Sequence, residues 1–63
     1  MTLTITIECD NAAFEIESGT LEVARILREL ADTCEGRANL YDFGDTKIRD
    51  VNGNGVGRVS FHS

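Results

Sequence analysis

The chain contains no proline, one histidine and two cysteines in 63 residues, and neither lysine nor arginine occurs before Arg25. Each scarcity removes a kind of chemistry. The lone histidine, His62, stands one residue from the end, so no set of His, Cys and carboxylate at metal-ligand spacing is available and no nucleophile and base can be paired. Cys9 and Cys34 are too few and too far apart for a zinc site. Both fall on apolar faces by periodicity and read as buried free thiols. A Cys9–Cys34 disulfide is conceivable if a helix packs on the first strand, but a chain without a secretion signal belongs in a reducing compartment. Asp10, Glu15 and Glu17 do not follow the spacing of an EF-hand loop. No catalytic residue, metal or cofactor is therefore expected. There is no long apolar run and no basic stretch leading into one, so neither a signal peptide nor a transmembrane helix is expected, and the expected setting is cytoplasmic. No linker, repeat or low-complexity tract divides the sequence. Residues 1–63 read as a single small acidic domain, near the lower size limit for an unaided hydrophobic core.

The charge that is present is distributed unevenly. Glu8, Asp10, Glu15, Glu17 and Glu22 all precede the first base, whereas six acids balance six bases from Arg25 onward, so the net charge of −5 belongs to the first 24 residues. Direct nucleic-acid binding needs cations that displace phosphate counterions, and this balance argues against it. A protein partner with a basic surface suits it. The bland alternative is that these acids keep a small domain soluble and favour the helix N-terminus that follows them.

The one sustained helical period runs from Thr20 to Glu35. Val23, Ala24, Leu27, Leu30, Ala31 and Cys34 recur at spacings of three and four, with Ile26 beside them, and predict the face that covers a sheet. Ser18 or Thr20 can cap its start, and Gly36 is placed to end it. Before it, Thr2 to Cys9 alternates: Leu3, Ile5, Ile7 and Cys9 point one way, and Thr2, Thr4, Thr6 and Glu8 the other. The polar row implies a sheet open on one side. Between them, Asp10 to Gly19 offers Phe14 and Ile16 as apolar anchors, in either an extended segment or a helical turn. Ala38 to Phe43, with Leu40, Tyr41 and Phe43, suggests a short strand or packed loop. Asp45 to Val51 and Val56 to His62 flank Asn52-Gly53-Asn54-Gly55, a hairpin signal, and an even loop puts Ile48 on the face of Val59 and Phe61. The expected class is α+β in the order β-α-β-β: a three-stranded mixed or antiparallel sheet with one helix packed on one face, and the last strand between the other two. Two letter matches carry no weight. Gly53-x-Gly55-x-Gly57 leads into a strand rather than the helix a phosphate loop needs, and Asp42-Phe43-Gly44 lacks every other kinase motif.

The runs ITIECDNAAFE, EVARILRELAD and IRDVNGNGVGRV, which cover most of the chain, resemble short acidic open reading frames of phages and other mobile elements. Size, acidity and element order are similar to those of anti-CRISPR proteins and suggest an inhibitor of a type I system. The resemblance implies a non-enzymatic inhibitor in the host bacterial cytoplasm. Its partner would be a type I CRISPR surveillance complex, its effect to block access to target DNA, and its state a monomer or weak homodimer. The charge pattern suggests the acidic patch Glu8, Asp10, Glu15, Glu17 and Glu22 as the binding surface, carboxylates standing where phosphates would lie. The alternative from another class is a structural or assembly module of a phage or prophage that homo-oligomerises through a strand edge or the open threonine face.

Overall fold

The computed structural model describes residues 1–15 and 17–62, so the expected anchor Ile16 lies outside the described residues. Strand β1 spans Thr2–Ile7, helix α1 Gly19–Glu35, a four-residue helix α2 Leu40–Phe43, strand β2 Lys47–Arg49 and strand β3 Gly55–His62, with a 3-10 turn at Ala12–Phe14. The three strands form one antiparallel sheet in the order β1-β3-β2. The α+β layout and the central position of the last strand are as the sequence predicts. β1 pairs regularly with β3 from Thr2 opposite His62 to Ile7 opposite Gly57. That register needs a glycine, because a Cβ at Gly57 would overlap the Thr6 carbonyl.

The hairpin differs from the even loop that parity favours. Asp50 N–H donates to the Asn54 carbonyl at 2.9 Å and Gly53 N–H to the Asp50 carbonyl at 3.0 Å, which leaves the three residues Val51, Asn52 and Gly53 at the tip. Gly53 takes φ +84°, the left-handed residue that ends a three-residue hairpin loop. Arg49 lies opposite Gly55 but Ile48 lies opposite Gly57, so β3 carries one extra residue, Val56, against β2. This bulge cancels the odd loop, and Ile48 shares a face with Val59 and Phe61 after all. The unmatched Val56 enters the core.

The core consists of Phe14, Ile26, Leu30, Phe43, Ile48, Val56 and Val59, with Ile7, Ala13 and Val23 packed around it. Its weight falls on β3 and β2. Leu3 and Ile5 of β1 remain 40% and 42% exposed. The face that α1 turns inward is also displaced from the expected one. Glu22, Ile26 and Leu30 are buried, whereas Leu27 is 48% exposed and Ala31 and Cys34 are open to solvent. At 3.6 residues per turn this is a rotation of roughly 90° about the helix axis. The physical reason is that Glu22, which periodicity assigns to the polar side, finds partners inside and so need not face water. Cys9 and Cys34 are both exposed thiols, contrary to the expected burial. Cys34 follows the rotation of the helix, and Cys9 lies past the end of β1 with its Sγ 3.7 Å from the Ile7 carbonyl.

Two smaller differences have local causes. The Leu40–Phe43 segment is helical rather than extended, because the Asn39 side chain accepts the Asp42 N–H at 3.0 Å and caps the turn. Its Tyr41 ring meets Phe61 edge-on at 5.1 Å. At α1, Ser18 holds the N-cap position without a side-chain bond, and Gly36 ends the helix at φ −80° rather than in a left-handed turn. Among the described residues no helix is long and apolar enough to cross a membrane.

The displaced helix face makes a direct prediction. In dilute solution Ile26→Ala, which empties a site 1% exposed, lowers the unfolding free energy by about 3 kcal/mol. Leu27→Ala lowers it by less than about 1 kcal/mol. Urea denaturation of the two variants measures both, and the opposite ranking would restore the face expected from periodicity.

Candidate functional site

The segment between β1 and α1 is short and polar, so its backbone must be held by contacts from elsewhere. Asn11 begins the 3-10 turn, its side-chain oxygen accepting the Ala13 N–H at 2.9 Å. Its amide nitrogen donates to Asp50 Oδ2 at 2.9 Å, which joins the loop to the hairpin tip 39 residues away. Phe14, two residues beyond Ala12, is buried and pins the other end of the turn in the core. Before and after these anchors Asp10, Glu15 and Glu17 remain exposed. With Asn11, Ala12 and Phe14 they line one open depression beside Cys9. Three of the five acids expected to form a binding patch are thus brought together by a fixed turn.

The other two are placed differently. Glu8 sits on the opposite side of the sheet, in a depression with Thr6, Arg58 and Ser60. Glu22 is 7% exposed and faces the fold rather than a partner. Its Oε1 accepts from Arg25 Nε at 2.6 Å and its Oε2 from the Val51 N–H at 2.7 Å. The Arg25 guanidinium holds the Glu22 carboxyl below the usual carboxylate range; burial opposes this, and the Val51 N–H reinforces it. Arg25 is raised in turn by the same bond, and it also reaches Glu29 at 2.9 Å and the Arg49 carbonyl at 3.3 Å. Glu22 is therefore a strut between helix and hairpin.

Asp50 is a second buried carboxylate, and charge counting gives no reason to single it out. Its Oδ1 accepts the N–H groups of Asn52 and Asn54, each at 2.9 Å, and its Oδ2 accepts from Asn54 Nδ2 at 3.2 Å and from Asn11. Burial pushes its acidity down, but these donors outweigh that effect and hold the carboxyl below its ordinary value. The available signal lies in spacing: an Asp followed at two and four residues by Asn and then Gly matches a local side-chain-to-backbone turn. The same letters open an EF-hand loop, but its twelfth position is Phe61 here and the Asp50 oxygens already face N–H donors. Among the described residues no group of three or more His, Cys, Asp or Glu side chains could hold a metal ion.

Three of the six bases lie on the hairpin strands. Lys47 and Arg49 flank the buried Ile48 on β2, and Arg58 stands opposite Lys47. Arg58 meets Asp45 at 3.0 Å in an exposed pair that contributes little to stability. The acidic depression at Asp10–Glu17 thus has no lysine or arginine along its lining. Chemically the site is an array of carboxylates suited to meet cations. No known protein family, curated protein or solved structure matches the chain.

The two buried carboxyls give the fold a pH dependence of definite sign. Both ionise more readily in the folded chain than in the unfolded one, so their contribution is complete above about pH 5 and is lost as pH falls through and below about pH 4. Glu22→Gln and Asp50→Asn should melt at lower temperature than the parent at neutral pH, and the gap should narrow in acid as the parent protonates. Thermal melts across pH test this, and a gap independent of pH would exclude the linkage.

Proposed function

We propose that this protein is a non-enzymatic inhibitor that presents the carboxylates of Asp10, Glu15 and Glu17 to a basic, nucleic-acid-binding surface of a bacterial defence complex. The observation that carries the reading is their convergence on one open depression, free of lysine and arginine, on a turn anchored by Asn11 to Asp50 and by Phe14 to the core. Anchoring matters because a preordered array loses less entropy on binding than a mobile tail. The type I CRISPR surveillance complex is the target that the sequence resemblance suggests. Its DNA-binding channel has the required chemistry, since any surface that holds phosphates must offer arginine and lysine. Binding there would keep target DNA out by occupying the same cations, in the host bacterial cytoplasm where that complex works. Glu8 contributes from the far side of the sheet only through the general field, and Glu22 contributes by holding the helix to the hairpin.

Electrostatic docking predicts a strong salt dependence, because exposed charges are screened beyond about 8 Å at physiological ionic strength. Replacing Asp10, Glu15 and Glu17 together by Lys should weaken binding to the purified complex by at least tenfold, about 1.4 kcal/mol. The circular dichroism spectrum should be unchanged, because none of the three side chains is buried. Titration of the complex with parent and triple variant at low and high salt decides it. Binding that is indifferent both to the triple reversal and to salt would overturn the reading.

A further inference from the structure

The two edges of the sheet are not alike. β2 offers three residues, two of them the cations Lys47 and Arg49, and it is broken by the Val56 bulge. Charges, short length and bulges are the usual devices that keep an edge from pairing with another chain. β1 has none of them. Its six residues Thr2–Ile7 pair regularly with β3 and include no charge, no proline and no bulge.

The direction of its free backbone groups follows from one bond. Glu8 N–H donates to the Val56 carbonyl at 2.7 Å, so position 8 faces β3. In an antiparallel ladder the residues alternate, so Thr2, Thr4 and Thr6 also face β3 while Leu3, Ile5 and Ile7 turn their N–H and C=O groups outward. The Ile7 carbonyl fits this assignment, since the hydrogen bond it accepts comes from the Cys9 thiol. The side chains of these outward-bonding residues lie on the apolar face, where Leu3 and Ile5 are 40% and 42% exposed.

We propose that β1 pairs antiparallel with β1 of a second copy about a two-fold axis at Ile5, joining two sheets into one of six strands. Placing Ile5 opposite Ile5 puts Leu3 opposite Ile7 and Ile7 opposite Leu3. All three outward-facing residues of each copy then exchange both backbone bonds. Within Thr2–Ile7 no other two-fold register satisfies all three. The same register places Met1, 84% exposed, opposite Cys9 of the second copy. Cys9 borders an apolar groove with Phe14, Val23 and Leu27, and the partner's methionine has the chemistry and the strand parity to fill it. The exposed area points the same way. A compact chain of 6.9 kDa presents about 4000 Å², whereas this one presents 4539 Å². Thr2–Ile7 is uncharged, and the one charged side chain inside the register, Glu8, falls opposite Thr2 rather than opposite its own copy, so the net charge of −5 opposes association mainly at long range.

The salt response separates this pairing from the acidic docking proposed above. Screening strengthens contact between two copies of one acidic chain and weakens contact with a basic partner. Sedimentation equilibrium of the parent chain should therefore show a dimer whose dissociation constant falls or holds as salt rises. Ile5→Lys and Ile5→Glu, which set like charges opposite each other on the axis, should each raise that constant at least about tenfold. An equimolar mixture of the two variants should restore the dimer, which a general loss of folding would not allow. Amide hydrogen exchange on the parent chain supplies a readout free of mutation. The amides of Leu3, Ile5 and Ile7 should gain protection as concentration rises, while those of Thr4 and Thr6 are protected throughout. A chain that remains monomeric at every concentration, a mixture that fails to restore association, or exchange at odd positions that ignores concentration would each overturn the proposal.

Discussion

The fold depends on how two buried carboxylates grip the hairpin tip. Asp50 gathers Asn52, Asn54 and Asn11, and Glu22 binds Val51 from the helix side, so the tip, the helix and the loop before the helix meet at one place. With seven buried hydrophobic residues among those described, apolar contact alone specifies position loosely. The carboxylates supply direction. An ionised carboxyl shut away from water would be strongly unfavourable without donors, so the arrangement that satisfies both is singled out from its neighbours.

The rotation of α1 follows from that requirement. Turning Glu22 inward carries Ile26 and Leu30 over β3 and β2, and it leaves Leu27, Ala31 and Cys34 on the open side. The inner face of β1 is then only partly covered, although its residues are as apolar as those of β3. One electrostatic choice therefore sets where the core is dense and where an apolar margin is left over. It also fixes the acidic turn against the hairpin tip, through the bond from Asn11 to Asp50.

Function and scaffold consequently divide along lines that charge alone does not draw. Glu22 and Glu17 stand five residues apart in one acidic stretch, yet the first is a structural member and the second faces solvent. Asp50 belongs to the half of the chain that is electrically neutral, and it secures the turn on which the exposed acids sit. Asp10, Glu15 and Glu17 stay exposed, so a partner could meet them without loss of the fold. β1, which leads into that turn, offers backbone bonds and apolar side chains instead of charge, so the two surfaces would respond to salt in opposite senses.

What the sequence determined by itself was periodic or compositional. Alternation in Thr2–Cys9 identified the strand and its two faces, although β1 stops at Ile7, spacing of three and four located α1, Asn-Gly marked the hairpin, and the late bases confined the net charge to the first 24 residues. These follow from local geometry, which every short segment carries with it. The inward face of α1, the burial of Glu22 and Asp50, the odd loop corrected by the Val56 bulge and the exposure of both thiols were decided only by the tertiary structure. Each depends on a partner distant in the chain: Val51 for Glu22, Asn11 for Asp50, Gly57 for Ile48. Periodicity records which residues are apolar, but whether a charged one goes inside depends on donors that only folding brings within reach.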